Sequence, residues 1–307
     1  KTGAFIVQAL LKQVRQRNIP LLSDRMVLSL LSYEEKISGL SVLNTTTGFV
    51  EVIASKSVVL ATGGFAGIWQ GATTNPTTTT GDGLILALEA GLELVDMEFV
   101  QFHPTGLFHT GALVSEAVRG EGAYLVNDKG ERFVDELSTR DKVSRAIAEQ
   151  FEHGHKVFID ARHLSEEILT TKLPSFCKSA LTTEGVNPLH DLVPIKPVAH
   201  YTMGGIATNA YGKTSLDGLY ACGECASNGL HGANRLGGNS LMECAVSGML
   251  CGHEGGSYAL NHDFSPIDYR QVFKDERRIE RIMKGENHYN LMALKRSNSK
   301  TNWPKSV

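Results

Sequence analysis

Apolar and polar positions recur with different periods along this chain, and the change of period divides it. Lys1 to Val14 carries Phe5, Ile6, Ala9, Leu10 and Val14 at helical spacing, so a helix is predicted from the first residues. Between residues 20 and 60 the pattern shortens to apolar runs, among them Met26 to Leu31, Ile37 to Leu43 and Val50 to Ala54, which read as strands. A further run, Val58 to Thr62, closes on Gly63-Gly64, as a buried strand does where the chain passes close to a ligand. After a polar loop from Ala72 to Thr80, Gly81-Asp82-Gly83 opens a helix predicted from Leu84 to Ala90, which Gly91 closes.

From about Gln101 the texture changes to loops and helices. Pro104 and the Gly120-Glu121-Gly122 turn are followed by an amphipathic helix from Arg140 to Phe151, with Val143, Ala146, Ile147 and Phe151 on one stripe. Ser138 and Asp141 match a capping box at its start. Strand character returns from Gly218 to Ala221, before a glycine-rich stretch and an apolar helix from Ser240 to Gly252. Asp263 to about Lys295 is charged with helical tendency, and Arg296 to Val307 is polar and expected to fray. The fold class is α/β: one domain interrupted by an inserted cap. The expected division is 1–100 and 200–255 for the interrupted domain, 101–199 for the cap, and 256–307 for the start of a helical region. Because a helix is already under way at Lys1, the chain is expected to begin inside a domain.

Composition narrows the chemistry. The 30 basic and 33 acidic residues are spread along 307 positions with a net charge of −3, so no nucleic-acid surface is expected and any anion specificity is local. Five cysteines are too few and too irregular for a disulfide framework, which points to a reducing compartment. No secretory signal and no apolar run near the roughly 20 residues of a membrane helix occurs, so no direct membrane insertion is expected. Cys222-Gly223-Glu224-Cys225 has no second CxxC and no histidine pair after it, so it reads as a packing pair and no metal is expected. Neither a GxGxxG after a strand, nor a Walker loop, nor a GxSxG is present, so the phosphate-binding turn of a dinucleotide fold is missing.

Five stretches carry candidate chemistry. Gly229 to Leu241 surrounds Arg235 with glycines and ends where a helix begins, so backbone N–H groups and a guanidinium can converge on an anion; the plain alternative is a capped turn with Arg235 in solvent. Ser115 can cap a short helix on which Glu116 and Arg119 share a face, an arrangement that alone is also a common surface ion pair. Arg140 sits at a helix start, where the dipole disfavours a cation, so either an anion partners it or it snorkels to solvent. His103 and His200 lie in apolar surroundings beside turn residues, where a histidine is either a hydrogen-bonded core residue or a site residue.

Together these stretches resemble the flavoprotein subunits of fumarate reductase and succinate dehydrogenase, and their relative L-aspartate oxidase. The matching segments run in the family's order: Ala61-Thr62-Gly63-Gly64, Thr80-Gly81-Asp82-Gly83, Gln101 to Thr105, Glu116 to Tyr124, Arg140-Asp141, His200-Tyr201, Gly223-Glu224 and His231 to Leu241. The resemblance implies a doubly wound FAD-binding domain, here partial, with an α+β capping domain that closes as a lid. It implies FAD contacts from Ala61, Thr62, Gly63, Gly64, Asp82, Glu224, Asn239, Ser240 and Leu241. It implies a C4 dicarboxylate held by His103, Ser115, Glu116, His200 and Arg235, with hydride transfer between flavin N5 and the substrate. Arg140 would exchange the substrate proton, and Glu116 with Arg119 would relay it toward solvent. Ser115 stands where the family usually has threonine and keeps the hydroxyl.

The nucleotide-binding turn, and any histidine linking FAD covalently, are expected upstream of Lys1, so stable FAD binding by this chain alone is not expected. Lys1-Thr2-Gly3, Gly106, Met203-Gly204-Gly205 and Gly237-Gly238-Asn239 favour fumarate reductase or succinate dehydrogenase. Thr73-Thr74-Asn75-Pro76 and Gly229-Leu230-His231 favour L-aspartate oxidase, which would form iminoaspartate for NAD biosynthesis. A catalytically silent fragment is the third reading. The resemblance further implies a cytoplasmic protein, with an iron–sulfur subunit as the partner through which it would sit peripherally on the inner membrane face.

Overall fold

The computed structural model describes residues 2–283. Helix α1 (Thr2–Gln16) has the predicted spacing but buries no residue; Phe5 and Leu10 are 71% and 59% exposed. Strands β1 (Arg25–Tyr33), β2 (Lys36–Asn44) and β3 (Val50–Ala54) form an antiparallel sheet in that order, and β3 ends at the predicted residues. Glu34 and Glu35, both at positive φ, make the first two-residue turn, as the twist of a hairpin requires. The second turn is organised by Asn44, whose Oδ1 accepts the N–H groups of Thr46 and Thr47 at 3.1 Å each.

Strand β4 (Val58–Leu60) carries the chain to Ala61-Thr62-Gly63-Gly64. Helix α2 (Asp82–Glu89) starts from Gly81 at φ +78, a left-handed conformation that suits glycine. Strand β5 (Leu94–Val95) precedes the central insertion.

The insertion is built on β6 (Val100–Leu107), α3 (Ala117–Gly120), β7 (Tyr124–Asn127), α4 (Arg140–Glu152), β8 (Val157–Asp160), α5 (Pro174–Ser179) and β9 (Val193–Thr202). Its strands form one antiparallel sheet in the order β6-β9-β8-β7. Helix α4 lies on this sheet with Val143 and Ile147 fully buried among Leu107, Leu125, Ile159 and Ile195, while Ala146 and Phe151 are partly buried. That burial of an apolar stripe is what seats the helix, and with it Arg140. The expected cap is displaced by one residue. Thr139, not Ser138, occupies the N-cap, and Ser138 Oγ instead donates to Asp135 Oδ2 at 3.4 Å.

Four elements complete the first body: β10 (Gly205–Ala207), β11 (Leu219–Ala221), β12 (Ala226–Ser227) and α6 (Asn239–Asn261). Their core joins Leu60, Phe65, Leu84, Ala87, Ile206, Leu219 and Cys225. A doubly wound sheet is not assembled among the described residues: the parallel pairs are β4 with β11 and β10 with β12, and the remaining ladders are antiparallel. A parallel pair needs a crossover, and here β4 and β11 are linked through the whole insertion. Helix α6 runs nine residues beyond its predicted end at Gly252, with Cys251 and Gly255 buried against the body. Cys222 to Cys225 forms a 3-10 turn whose thiols pack; burial pushes the Cys222 thiol up to about 12, far from a reactive thiolate. Among the described residues no group of three or more His, Cys, Asp or Glu is arranged to hold a metal ion, and no helix is long and apolar enough to cross a membrane.

Helix α7 (Tyr269–Met283) returns to β1, where buried Asp275 Oδ1 accepts from Ser29 Oγ at 3.0 Å. The predicted helical extension to Lys295 and the polar stretch 296–307 lie outside the described residues.

Gly64 shows how tightly β4 delivers the chain. A Cβ there would overlap both Thr202 Oγ1 and the Glu224 carboxyl. Gly64→Ala is therefore expected to destabilise by about 1–3 kcal/mol, measured as a lowered urea midpoint. An unshifted midpoint would show that the Thr202–Glu224 contact gives way freely.

Candidate active site

Both candidate histidines sit where the β6–β9 ladder is broken. Gln101 faces Tyr201 and Phe102 faces Ala199, so His200 is an extra residue without a partner. Further along, His103 faces Val198 and Gly106 faces Lys196, which leaves Pro104 and Thr105 opposite Pro197. Neither proline has an N–H to give the ladder, and a bulge re-aims the side chains beside it. The result is an edge-to-face imidazole pair with centroids 5.2 Å apart.

Both rings are held neutral. His103 is 1% exposed, and its Nδ1 accepts the Thr105 N–H at 3.3 Å, which places the ring proton on Nε2. Burial pushes its pKa well below the ordinary value, helped by His200, Arg140 and Arg119. Burial, then Arg140 and Arg235, bring His200 down to about 4. Its Nδ1 lies 2.7 Å from Thr74 Oγ1, and Asn75 Nδ2 donates to its carbonyl at 2.9 Å. The pair therefore offers hydrogen bonds to an anion and adds no charge.

Charge comes from arginines around a shared carboxylate. Arg140, at the start of α4, gives NH2 to Glu116 Oε2 at 3.1 Å and Nε to Oε1 at 3.4 Å, which offsets the unfavourable helix dipole. Arg119 NH2 reaches the same Oε1 at 3.4 Å. The hydrogen bond from Arg140 is the main cause that lowers the Glu116 pKa. Of the two residues expected to reach toward solvent, one does. The Arg119 side chain is 1% exposed and turns inward to donate to the Glu136 carbonyl, whereas Glu116 is 49% exposed and is the member that meets solvent. Ser115 Oγ accepts the Ala117 N–H at 3.3 Å just before α3, whose N-cap position is taken by Glu116 and not by Ser115 as expected.

A residue without an assigned role in the sequence reading joins these groups. Buried Gln101 accepts Arg140 NH1 on Oε1 at 2.9 Å and donates through Nε2 to Asn234 Oδ1 at 2.8 Å and the Arg235 carbonyl at 2.6 Å. A polar residue two before His103 in an apolar strand was the available signal. Arg235 is not in solvent. It is 5% exposed, donates NH1 to Ser240 Oγ at 3.2 Å and stacks its guanidinium 4.3 Å from the Tyr201 ring centroid. Gly237 closes the seam, since a Cβ there would lie 3.1 Å from Glu116 Oε2 and 3.2 Å from Arg140 NH2.

The second group of expected residues forms an adjoining ledge. Exposed Ala61 and Thr62 sit at the carboxyl end of β4, beside its parallel partner β11, where ligands of open α/β sheets bind. Gly64 approaches Glu224, whose Oε1 accepts the Thr202 N–H at 2.9 Å. Gly83 is packed on Thr62, which brings Asp82 to the same edge, and α6 presents Asn239, Ser240 and exposed Leu241 at its N-terminus. A ledge of glycines, helix-start N–H groups and an apolar side chain fits the redox end of a flavin. One observation favours a ligand directly: Arg235 Nε is buried with no partner.

The histidines give the fold a pH signature. His200 has its folded pKa, about 4, below its unfolded value of 6.5, so its contribution to stability is present above pH 6.5 and lost as the pH falls toward 4. His103 acts in the same direction. The urea midpoint is expected to fall across this window, and His200→Gln should flatten part of the fall. An unchanged slope in that variant would mean the ring is not held neutral.

A model of the FAD binding domain family matches residues 1–241. The L-aspartate oxidase of Agrobacterium fabrum is 45% identical over 260 residues, which cover 81% of this chain and 48% of the relative. The fumarate reductase flavoprotein subunit of Haemophilus influenzae is 40% identical over 280 residues, covering 82% and 47% respectively. Among solved structures, a quinol-fumarate reductase with menaquinol molecules matches with a TM-score of 0.78 at 38% identity, over 86% of this chain and 51% of that one. The chain thus spans about half the length of the curated relatives it matches. By these likenesses the chain belongs to the FAD binding domain family, alongside the L-aspartate oxidases and fumarate reductase flavoprotein subunits, and its cofactor is FAD.

Proposed function

We propose that this chain supplies the substrate side of an FAD-dependent oxidoreductase acting on a C4 dicarboxylate, with the fumarate–succinate pair as the first reading. The observation that carries it is the convergence of Arg140, Arg235, His103 and His200 on one seam, tied together by Gln101. When bound, FAD supplies the two-electron chemistry; Ala61, Thr62, Gly63, Gly64, Asp82, Glu224, Asn239, Ser240 and Leu241 are the residues that would hold it.

The chain's own residues bind, orient and move a proton. Arg235 grips one carboxylate with the hydrogen-bonding edge that the protein leaves unpaired, and neutral His103 and His200, with Ser115 at the rim, donate to the substrate. Arg140 exchanges the proton at the substrate carbon. A guanidinium is a poor acid in water, so the step depends on Glu116, which shares two of the guanidinium nitrogens and meets solvent. Arg119 holds Glu116 in place from the buried side. In this reading residues 101–199 cap the site and exclude water, 1–100 and 200–255 form the flavin side, and 256 onward begins the helical region. An iron–sulfur partner and a peripheral place at the inner membrane face belong to the same reading.

Aspartate is the second reading. The 45% identity to an L-aspartate oxidase exceeds the 40% to a fumarate reductase subunit, and the Thr74-Asn75 stretch that favours it contacts His200 directly. Assaying the full-length protein with fumarate plus a reduced dye, against aspartate plus oxygen, separates the two. Turnover of neither, or folded protein that carries no flavin, leaves the silent reading. Arg140→Lys is expected to cut turnover by about 100-fold or more while changing the dissociation constant for succinate less than about threefold. Unchanged turnover would remove Arg140 from the mechanism.

A further inference from the structure

Beneath Arg235 lies a buried polar cluster that the proposed proton route does not use. Glu243 of α6 is 7% exposed, and its Oε2 accepts both the Tyr201 hydroxyl and His231 Nε2, the latter at 2.9 Å. Tyr201 comes from β9 and is 4% exposed; His231 comes from the glycine-rich loop, with a side chain 7% exposed. The two rings meet edge to face at 5.5 Å. Three segments are thus tied at one carboxyl oxygen, and each also carries a site residue: β9 has His200, the loop has Arg235, and α6 has Asn239 and Ser240.

The tie bears on Arg235 through the ring. Among the described residues the guanidinium has one side-chain hydrogen-bond acceptor, Ser240 Oγ, and its Nε has none, so the Tyr201 face is the floor that fixes its height and tilt. A phenol donating to a carboxylate shifts electron density into its ring, and the ring face then attracts a desolvated cation more strongly. Burial, with the bond to Glu243, pushes the Tyr201 pKa up, which keeps the hydroxyl a donor. A buried carboxylate is costly unless its partners are in place, so the cluster forms as a unit or not at all.

We propose that Glu243 is the positioning residue for Arg235: by fixing Tyr201 and His231 together, it sets the cation–π floor on which the dicarboxylate-gripping guanidinium rests. This rests on the C4-dicarboxylate reading above, and the test is ordered so that the two can fail separately. The native full-length flavoprotein is assayed first with fumarate and a reduced dye, and with aspartate and oxygen. No turnover of either overturns the functional reading and this inference with it.

With turnover established, Tyr201→Phe, Glu243→Gln and Tyr201→Leu are compared for flavin content, kcat and KM with whichever substrate is turned over. The expected result is retained flavin, a KM raised about fivefold by Tyr201→Phe and by Glu243→Gln, and roughly 30-fold by Tyr201→Leu, with kcat changed far less. Losing the ring should cost more than losing the hydroxyl; a general packing defect would share that order but would lower flavin content and kcat along with it. An unchanged KM in Tyr201→Leu with flavin retained overturns the proposal. So does a fall in kcat without a rise in KM, or loss of flavin from all three variants, which would assign the cluster to folding alone.

Discussion

Guanidinium groups held close together repel, and the architecture of the site follows from how that repulsion is contained. Burial depresses the basicity of both Arg119 and Arg235, and Arg140 depresses it further. Containment takes three forms. A carboxylate shared between Arg140 and Arg119 offsets one of their two charges, an aromatic face takes the third cation, and the amide of Gln101 spans the gap between the two halves. Burial, with the guanidinium charges behind it, keeps the two imidazoles neutral. The site is therefore positive where Arg235 is, neutral where the histidines are, and only half-compensated around Glu116, which faces two guanidiniums. That graded field suits an anion whose two ends are treated differently.

Much of this was legible from local pattern. The run Val50 to Ala54 is a strand in both readings because apolar periodicity and turn residues are local quantities, and the stripe Val143 to Ile147 is a buried helix face for the same reason. The members of the site were legible as residue types in an ordered series of motifs. Their arrangement was not. Whether His200 faces its neighbours or stands in a bulge depends on which residue of β6 lies opposite, a pairing between positions about 100 apart in the chain. Gln101 escaped for a related reason: an amide in a strand has no meaning until the loop carrying Asn234 and Arg235 is folded against it.

Helix boundaries show the same limit on a smaller scale. Ser138 and Thr139 are both good caps, and the choice fell to Thr139 because Ser138 found Asp135 in the preceding turn. The continuation of α6 past Gly252 has a tertiary cause, since its small residues pack against the body: a Cβ on Gly255 would meet Ser57 Oγ at 2.9 Å. Single-sequence propensity weighs glycine as a helix breaker, and the packed structure overrides it.

The broken ladder between β6 and β9 has a consequence for how the site measures its ligand. His103 and His200 belong to two strands of one sheet, so their separation is set by backbone hydrogen bonds on either side of the bulges. A movement of the insertion would carry both imidazoles together, as the jaws of a locked calliper. Arg235 rides on the other body, on the loop leading into α6. Tyr201 of β9 and Gln101 of β6 reach across to it, so the guanidinium is gauged from the same sheet that fixes the histidines.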